Sequence, residues 1–288
     1  MVKNLNQEKI VEEKSFFNVI VHSFFVIPFL IAVFCLLLFV AINLLTQEKR
    51  TAYGYLEDVT SGGSTKRWQG AFELSKILAN PRLIPHESRF TDELIKAFKN
   101  SKNDDNRVRQ YLALAMGRTG RSEFAPILSD GLKEEKEANI PALIYALGMI
   151  KDKNLSSSLF PYMNHPNAMI RSVTTAALGN IGSQEAKPLF KKALHDPEPN
   201  VQWGAAVSLA QMGDPSGNGI LLKLLNRKYF SQFPEVDPQE QDNLMLTVID
   251  VSRNINDVDL LARIKELSQT DQNMNVRAAA YNRLKRIN

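Results

Sequence analysis

Residues able to do covalent or metal chemistry are few in this sequence, and they are scattered. One His-Glu dipeptide, His86-Glu87, lies beside Pro85, and a single pair cannot supply the several convergent ligands that a metal centre needs. His165 and His195 both fall at turns, beside Pro166 and Asp196. Imidazoles about 10 Å apart on adjacent structural units do not share an ion, so solvated turn histidines are the simpler description. The single cysteine, Cys35, sits in an apolar run and provides neither a disulfide framework nor a cysteine zinc site. There is no phosphate-cradling glycine loop, nucleophile elbow or metalloprotease helix. No catalytic group, cofactor or metal is expected. What stands out instead is suited to recognition: Trp203, Tyr229, Phe230 and Phe233 among aromatics, and Arg107, Arg109, Arg118 and Arg121 among cations.

Two kinds of element must carry these residues. The first is an apolar run, Phe24 to Ile42, without a charged or strongly polar side chain. At about 1.5 Å per residue it can cross the roughly 30 Å hydrocarbon layer of a bilayer. It is apolar on every side, which favours a lipid-spanning helix over a core helix. A cleaved signal peptide has a shorter apolar core ending in small residues, whereas this run ends in Ile42-Asn43-Leu44-Leu45. A lipoprotein signal through Cys35 is disfavoured by the bulky Phe34 before it. The expected organisation is an N-terminal tail over residues 1–18, a transmembrane helix over 19–46, a flexible Gly- and Ser-containing linker over 47–65, and a repeat domain over 66–288. Lys3, Lys9 and Lys14 slightly outweigh Lys49 and Arg50, which places the C-terminal domain outside the cytoplasm of a bacterial inner membrane.

The second kind of element is a repeat. Gly117, Gly148, Gly179 and Ala210 form a ladder spaced by 31 residues, and Leu128, Leu159, Phe190 and Leu221 form another. A shared period of this length fits a unit of two short helices and two turns. Within one unit Val108, Leu112, Met116 and Thr119 step by four, four and three, as one buried helical stripe does. Asp105-Asn106, Pro166-Asn167 and Pro199-Asn200 provide starts for the second helices, and Ser122 and Ser183 are candidate caps for first helices. Trp68 opens the array in a leading helix, covering its open end, and six hairpins follow. Stacked hairpins bury what each alone would expose.

The strings NRVRQYLALAMGRTG, MIRSVTTAALGNIG, NVQWGAAVSLAQMG and NVRAAAYNRL resemble HEAT repeats, particularly the short kind of the phycobilisome bilin lyases. The resemblance covers nearly everything from residue 66 onward and implies an all-α, right-handed α-solenoid that binds other proteins. It also implies that the arginine of the Val-Arg step, present as Arg109, Arg171 and Arg277, pairs with an inter-helix acid for structural reasons. In one copy that step becomes Val201-Gln202. The diiron hydroxylases of this fold use repeated His-Glu pairs, and this chain has one. A glycosylase of similar fold would need a strongly basic groove. Here 35 basic residues oppose 31 acidic ones, for a net charge of +4 over 288 residues, so nucleic acid is not an expected partner.

Three features depart from the repeat and are the candidate partner-binding sites. Trp203 takes a position held by Gln110, Pro141 and Ser172 elsewhere, which makes it either an exposed anchor or a ring packed on the neighbouring helix. A 12-residue insertion, within Arg227 to Asp242, carries Tyr229, Phe230 and Phe233; its rings either bind a partner or fold back over a widened gap. Arg107, Arg109, Arg118 and Arg121 bracket one helix and either receive an acidic partner or form a solvated face. The expected function is a membrane-anchored interaction scaffold or adaptor without catalysis of its own, its partner a protein, with a membrane complex among the candidates. The alternative is a solenoid enzyme or enzyme subunit of the bilin-lyase type.

Overall fold

The structure, a computed structural model, describes residues 22–46 and 51–285. The N-terminal tail, residues 19–21 of the expected span and residues 47–50 of the expected linker lie outside the described residues. Two units are present, divided at residue 50. In the first, a π-helical turn over His22–Val26 leads into α1, Ile27–Thr46. Pro28 is the second residue of α1, which begins immediately after the π-helical turn. None of the 19 residues Phe24–Ile42 is buried, and their mean hydropathy is 3.2.

The second unit is a stack of helical hairpins. Its elements are α2 (Ala52–Ser61) and α3 (Ser64–Ile77), α4 (Ser88–Asn100) and α5 (Asn106–Thr119), α6 (Ala125–Leu132) and α7 (Ile140–Ile150). A 3-10 helix over Lys153–Asn164, with Pro161 inside it, then pairs with α8 (Ala168–Ile181). The stack ends with α9 (Lys187–Ala193) and α10 (Pro199–Gln211), α11 (Asn218–Leu224) and α12 (Pro238–Val251), and α13 (Val258–Thr270) and α14 (Met274–Lys285). Second helices pack on second helices, in the order α3, α5, α7, α8, α10. The six expected hairpins are those from α4 to α14.

The linker expectation is corrected at residues 51–65. Ala52, Leu56 and Val59 step by four and three and are buried in the core, so α2 is the first helix of a seventh hairpin. Thr51 caps it by accepting the Gly54 N–H at 3.3 Å, and the Tyr53 ring meets Phe90 edge-on at 5.4 Å. The glycines and hydroxyls that suggested a tether are cap and turn residues: Gly62 ends α2 and Gly63 begins α3. The leading helix through Trp68 is therefore the second member of a hairpin.

Two of the second helices, α5 and α8, start with matching side-chain caps, whereas α7 and α10 have none. Asp105 and Asn167 accept the N–H groups of Arg107 and Met169, each at 2.9 Å, at the starts of α5 and α8. Ser183 does not cap a helix; its hydroxyl meets Ser156 and Glu185. The second helices α5, α7, α8 and α10 end at Gly120, Lys151, Gly182 and Gly213, all with positive φ. Only Lys151, at φ 60°, carries a side chain in this left-handed conformation. Lys151→Gly is therefore expected to stabilise the domain by about 0.5–1 kcal/mol, measured by urea melts.

Candidate functional site

Trp203 and the insertion are two halves of one structure. The segment after α11 forms a 3-10 turn over Arg227–Gln232 and runs back across α10. Trp203 is only 3% exposed and Phe230 2%, while Tyr229 and Phe233 are half-buried. Around the indole stand Phe233 at 5.2 Å, and Tyr229 and Phe230 each at 6.2 Å between centroids, all edge-to-face. The Trp203 Nε1–H donates to the Tyr229 hydroxyl at 3.2 Å. Neither Trp203 nor Phe230 is a surface anchor: of the two alternatives for each feature, the indole is packed inside and the insertion folds back over it. At the equivalent positions Gln110, Pro141 and Ser172 are half-exposed; at 203 the insertion covers the site, so a large apolar ring is tolerated there.

The four arginines are held inside the fold to different degrees. Arg109 is buried: its Nε donates to Glu135 at 2.6 Å, its Nη1 to the Phe98 carbonyl at 2.8 Å, and its guanidinium lies over the Phe98 ring at 4.1 Å. It is a structural tie between hairpins and not a partner site. Arg107 is half exposed, pairs with Asp105 at 2.6 Å and stacks over Trp68 at 4.4 Å. Arg118 donates to the carbonyl and, at 3.2 Å, the hydroxyl of Ser75. Arg121 donates to the Pro85 carbonyl and to Thr91 Oγ1 at 3.0 Å. These last two are bonded to neutral oxygens.

Arg109 belongs to a recurring device. Arg171 donates through Nε and Nη2 to Asp196 of the next hairpin, both at 2.8 Å, and through Nη1 to the His165 carbonyl of its own turn at 2.8 Å. Gln202 keeps the second role alone, donating to the Asp196 carbonyl at 2.6 Å. Further along, Arg227 of the insertion enters the acidic position from the other side, between Asp242 at 2.6 Å and Asp271 at 2.7 Å. Burial pushes the carboxyls of Asp196 and Asp271 up, but hydrogen bonds from Arg171 and Arg227, the backbone N–H groups of Glu198 and Asn273, and the charges of the neighbouring arginines together outweigh it and hold both below the ordinary value. Because the folded values are depressed, this stability is complete above about pH 4 and is lost as pH falls through the folded values. Arg171→Gln copies the Gln202 arrangement. It should cost about 1–2 kcal/mol at pH 7 and flatten the decline in melting temperature on acidification.

The two turn histidines line one cavity of about 630 Å³ with Arg171, Lys192 and Asp196. His165 Nδ1 accepts the Asn167 N–H at 3.1 Å. Among the described residues no three His, Cys, Asp or Glu side chains gather in a metal-holding group. The large surface feature is instead the solvent side of the second-helix layer. There Tyr145 is 51% and Met169 61% exposed, beside half-buried Tyr111, Leu114, Pro141, Met149, Val173 and Val207. Sequence reasoning missed these residues, although Leu114, Tyr145, Ala176 and Val207 share the 31-residue spacing.

Residues 156–231 match the family model for HEAT repeats. No curated protein matches the sequence. Among solved structures, the chain is similar to the complex of CpcE and CpcF of phycocyanin lyase from Nostoc sp. PCC7120, with 21% identity, a TM-score of 0.57, and coverage of 82% of this chain and 96% of that one. An engineered protein matches at 18% identity over 82% of this chain and 96% of that chain, TM-score 0.37. Human deoxyhypusine hydroxylase in complex with glycerol matches at 15% identity over 81% of this chain and 94% of that one, TM-score 0.36. The chain thus carries HEAT repeats stacked as an α-solenoid, with a fold similar to that of a phycocyanin lyase subunit.

Proposed function

We propose that this protein is a membrane-anchored scaffold, in which α1 is held by the bilayer and the HEAT-repeat unit receives a protein partner. The observation that supports it is the pairing, in one chain, of an unburied 19-residue apolar helix with a hairpin stack whose central second helices, α5, α7, α8 and α10, carry no Asp or Glu. Water exposure of that much apolar helix is costly, whereas lipid satisfies it. Deleting residues 1–47 should move the protein from alkali-resistant membranes to the soluble fraction. A mature chain that begins after residue 45 would make the helix a signal sequence and remove the anchor. A reporter joined after Asn288 and active outside the cytoplasm is the expected orientation. Crosslinked capture from native membranes should retain a partner that is lost when the repeat unit is removed.

A second reading, an enzyme subunit, draws on the likeness to a lyase subunit. It predicts that the purified chain, alone or with a second subunit, changes a bound small molecule covalently. Retention of a protein partner without such turnover favours the scaffold.

A further inference from the structure

The four helices α5, α7, α8 and α10 contain no Asp or Glu at all. All ten carboxylate side chains between residues 106 and 214 lie outside them, in first helices and turns. This exclusion ends on both sides, because α3 carries Glu73 and α12 carries Glu240, Asp242 and Asp250. The solvent side of these helices is accordingly apolar in the middle, with Tyr145, Met149, Met169 and Val173, and amide-bearing toward the end, with exposed Asn180 and Gln211. At the α5 end it is cationic. Arg118 has only the neutral oxygens of Ser75 as partners among the described residues, and Arg107, paired on one side with Asp105 at 2.6 Å, stands half exposed over Trp68.

An exposed helical face normally carries charges of both signs, and a face that excludes one sign over four neighbouring helices selects what can lie on it. Helices packed about 8–10 Å apart make this surface roughly 25–30 Å long, the length of a helix of about 18–20 residues. We propose that it is the docking surface for an acidic amphipathic helix of another protein. Its aliphatic face covers Tyr145, Met149 and Met169, and its carboxylates reach Arg107 and Arg118. This inference rests on the scaffold reading and names the chemistry of its partner. A cationic segment would meet no carboxylate on these helices, and a charged residue over Tyr145 would lose water without gaining a partner.

The test uses the full-length protein in detergent and a panel of labelled 20-residue helical peptides. Their aliphatic faces are identical, and their ends carry Glu, Lys or no charge; a fourth peptide has a scrambled face. Anisotropy titration should rank the Glu-ended peptide first. Tyr145→Glu and Met169→Glu, at positions exposed enough to leave the melting temperature unchanged, should each weaken it by about tenfold or more. The pair Arg107→Gln and Arg118→Gln should abolish the preference for Glu over Lys ends while uncharged peptides bind as before. Val258→Glu, at an 81% exposed position on α13, should change nothing. Equal binding of Glu- and Lys-ended peptides, or no binding by any of them, overturns the proposal. So does a concentration-dependent dimer that Tyr145→Glu dissolves, since a second copy then covers the face. If native membrane capture retains a partner equally well with Tyr145→Glu, this surface is wrong and the scaffold stands; if the unaltered protein retains none, the scaffold itself falls.

Discussion

Trp203→Ala should destabilise the repeat unit by about 3–5 kcal/mol, the cost of truncating a fully enclosed aromatic side chain. The indole is 3% exposed and has three rings edge-on to it, so its removal leaves a cavity that Tyr229, Phe230 and Phe233 cannot all collapse into. Its position magnifies the effect. The core consists of two clusters that meet on α10, where Val201, Ala205 and Leu209 belong to one and Trp203, Ala206 and Ala210 to the other. In a stacked array, stability is a sum of repeat and nearest-neighbour terms. Losing the ring at the seam therefore uncouples α11–α14 from the hairpins before them. Urea melts should become biphasic, and amide exchange should accelerate in α12 and α14 before it does in α5 and α7. Trp203→Phe keeps a ring but loses the bond to Tyr229, and should cost about 1–2 kcal/mol. A single unshifted transition for Trp203→Ala would sink this account.

How much of this was legible beforehand depends on whether a feature repeats. Helical hairpins, their period and the second-helix starts at Asp105 and Asn167 follow from ladders that any 31-residue offset displays. The first hairpin was illegible for the same reason. Terminal units lack a neighbour on one side, so α2 carries Ala52, Leu56 and Val59 without the glycine and leucine ladders, and its caps resemble a linker. Trp203 and the insertion were each correctly recognised as departures, but sequence gives no sign that one departure fills the other. That requires the 3-10 turn at Arg227–Gln232 to reverse the chain over α10. The arginines show a related limit. Arg109 and Arg118 differ by nine positions on one helix, yet only the packing of neighbouring hairpins decides that one faces Glu135 and the other Ser75. The carboxylate-free face was written in the sequence throughout. It is an absence spread over four helices, and it becomes a pattern only once those helices are known to lie side by side.

Gly148→Val is the second change expected to be severe, at about 3 kcal/mol or more. A Cβ at Gly148 would lie 2.8 Å from both the Cα and the Cβ of Ala177 on α8. These are backbone and backbone-attached atoms, which cannot swing aside as the end of a flexible side chain can. The same approach recurs at Gly117 against the Cα and Cβ of Ala146, and at Gly179 the Ser208 side chain fills the space, so the glycine ladder marks where consecutive second helices come close. Overpacking of this kind costs about 1–3 kcal/mol for small groups and more for branched ones. For Gly148→Ala, a gain of about 1 kcal/mol in helix propensity offsets part of that cost. Valine has less of this offset and adds two methyls to the clash. The ladder ends in Ala210, where the insertion precedes the next second helix; Ala210→Gly should cost only the propensity difference, about 1 kcal/mol. A double-mutant cycle separates close approach from propensity. Ala177→Gly removes one of the two atoms that Gly148→Ala strikes, the Cβ, and leaves the Cα, so the pair should be more stable than the sum of the two changes by about 1 kcal/mol. Strict additivity in denaturant melts would show that the ladder does not set the spacing between α7 and α8.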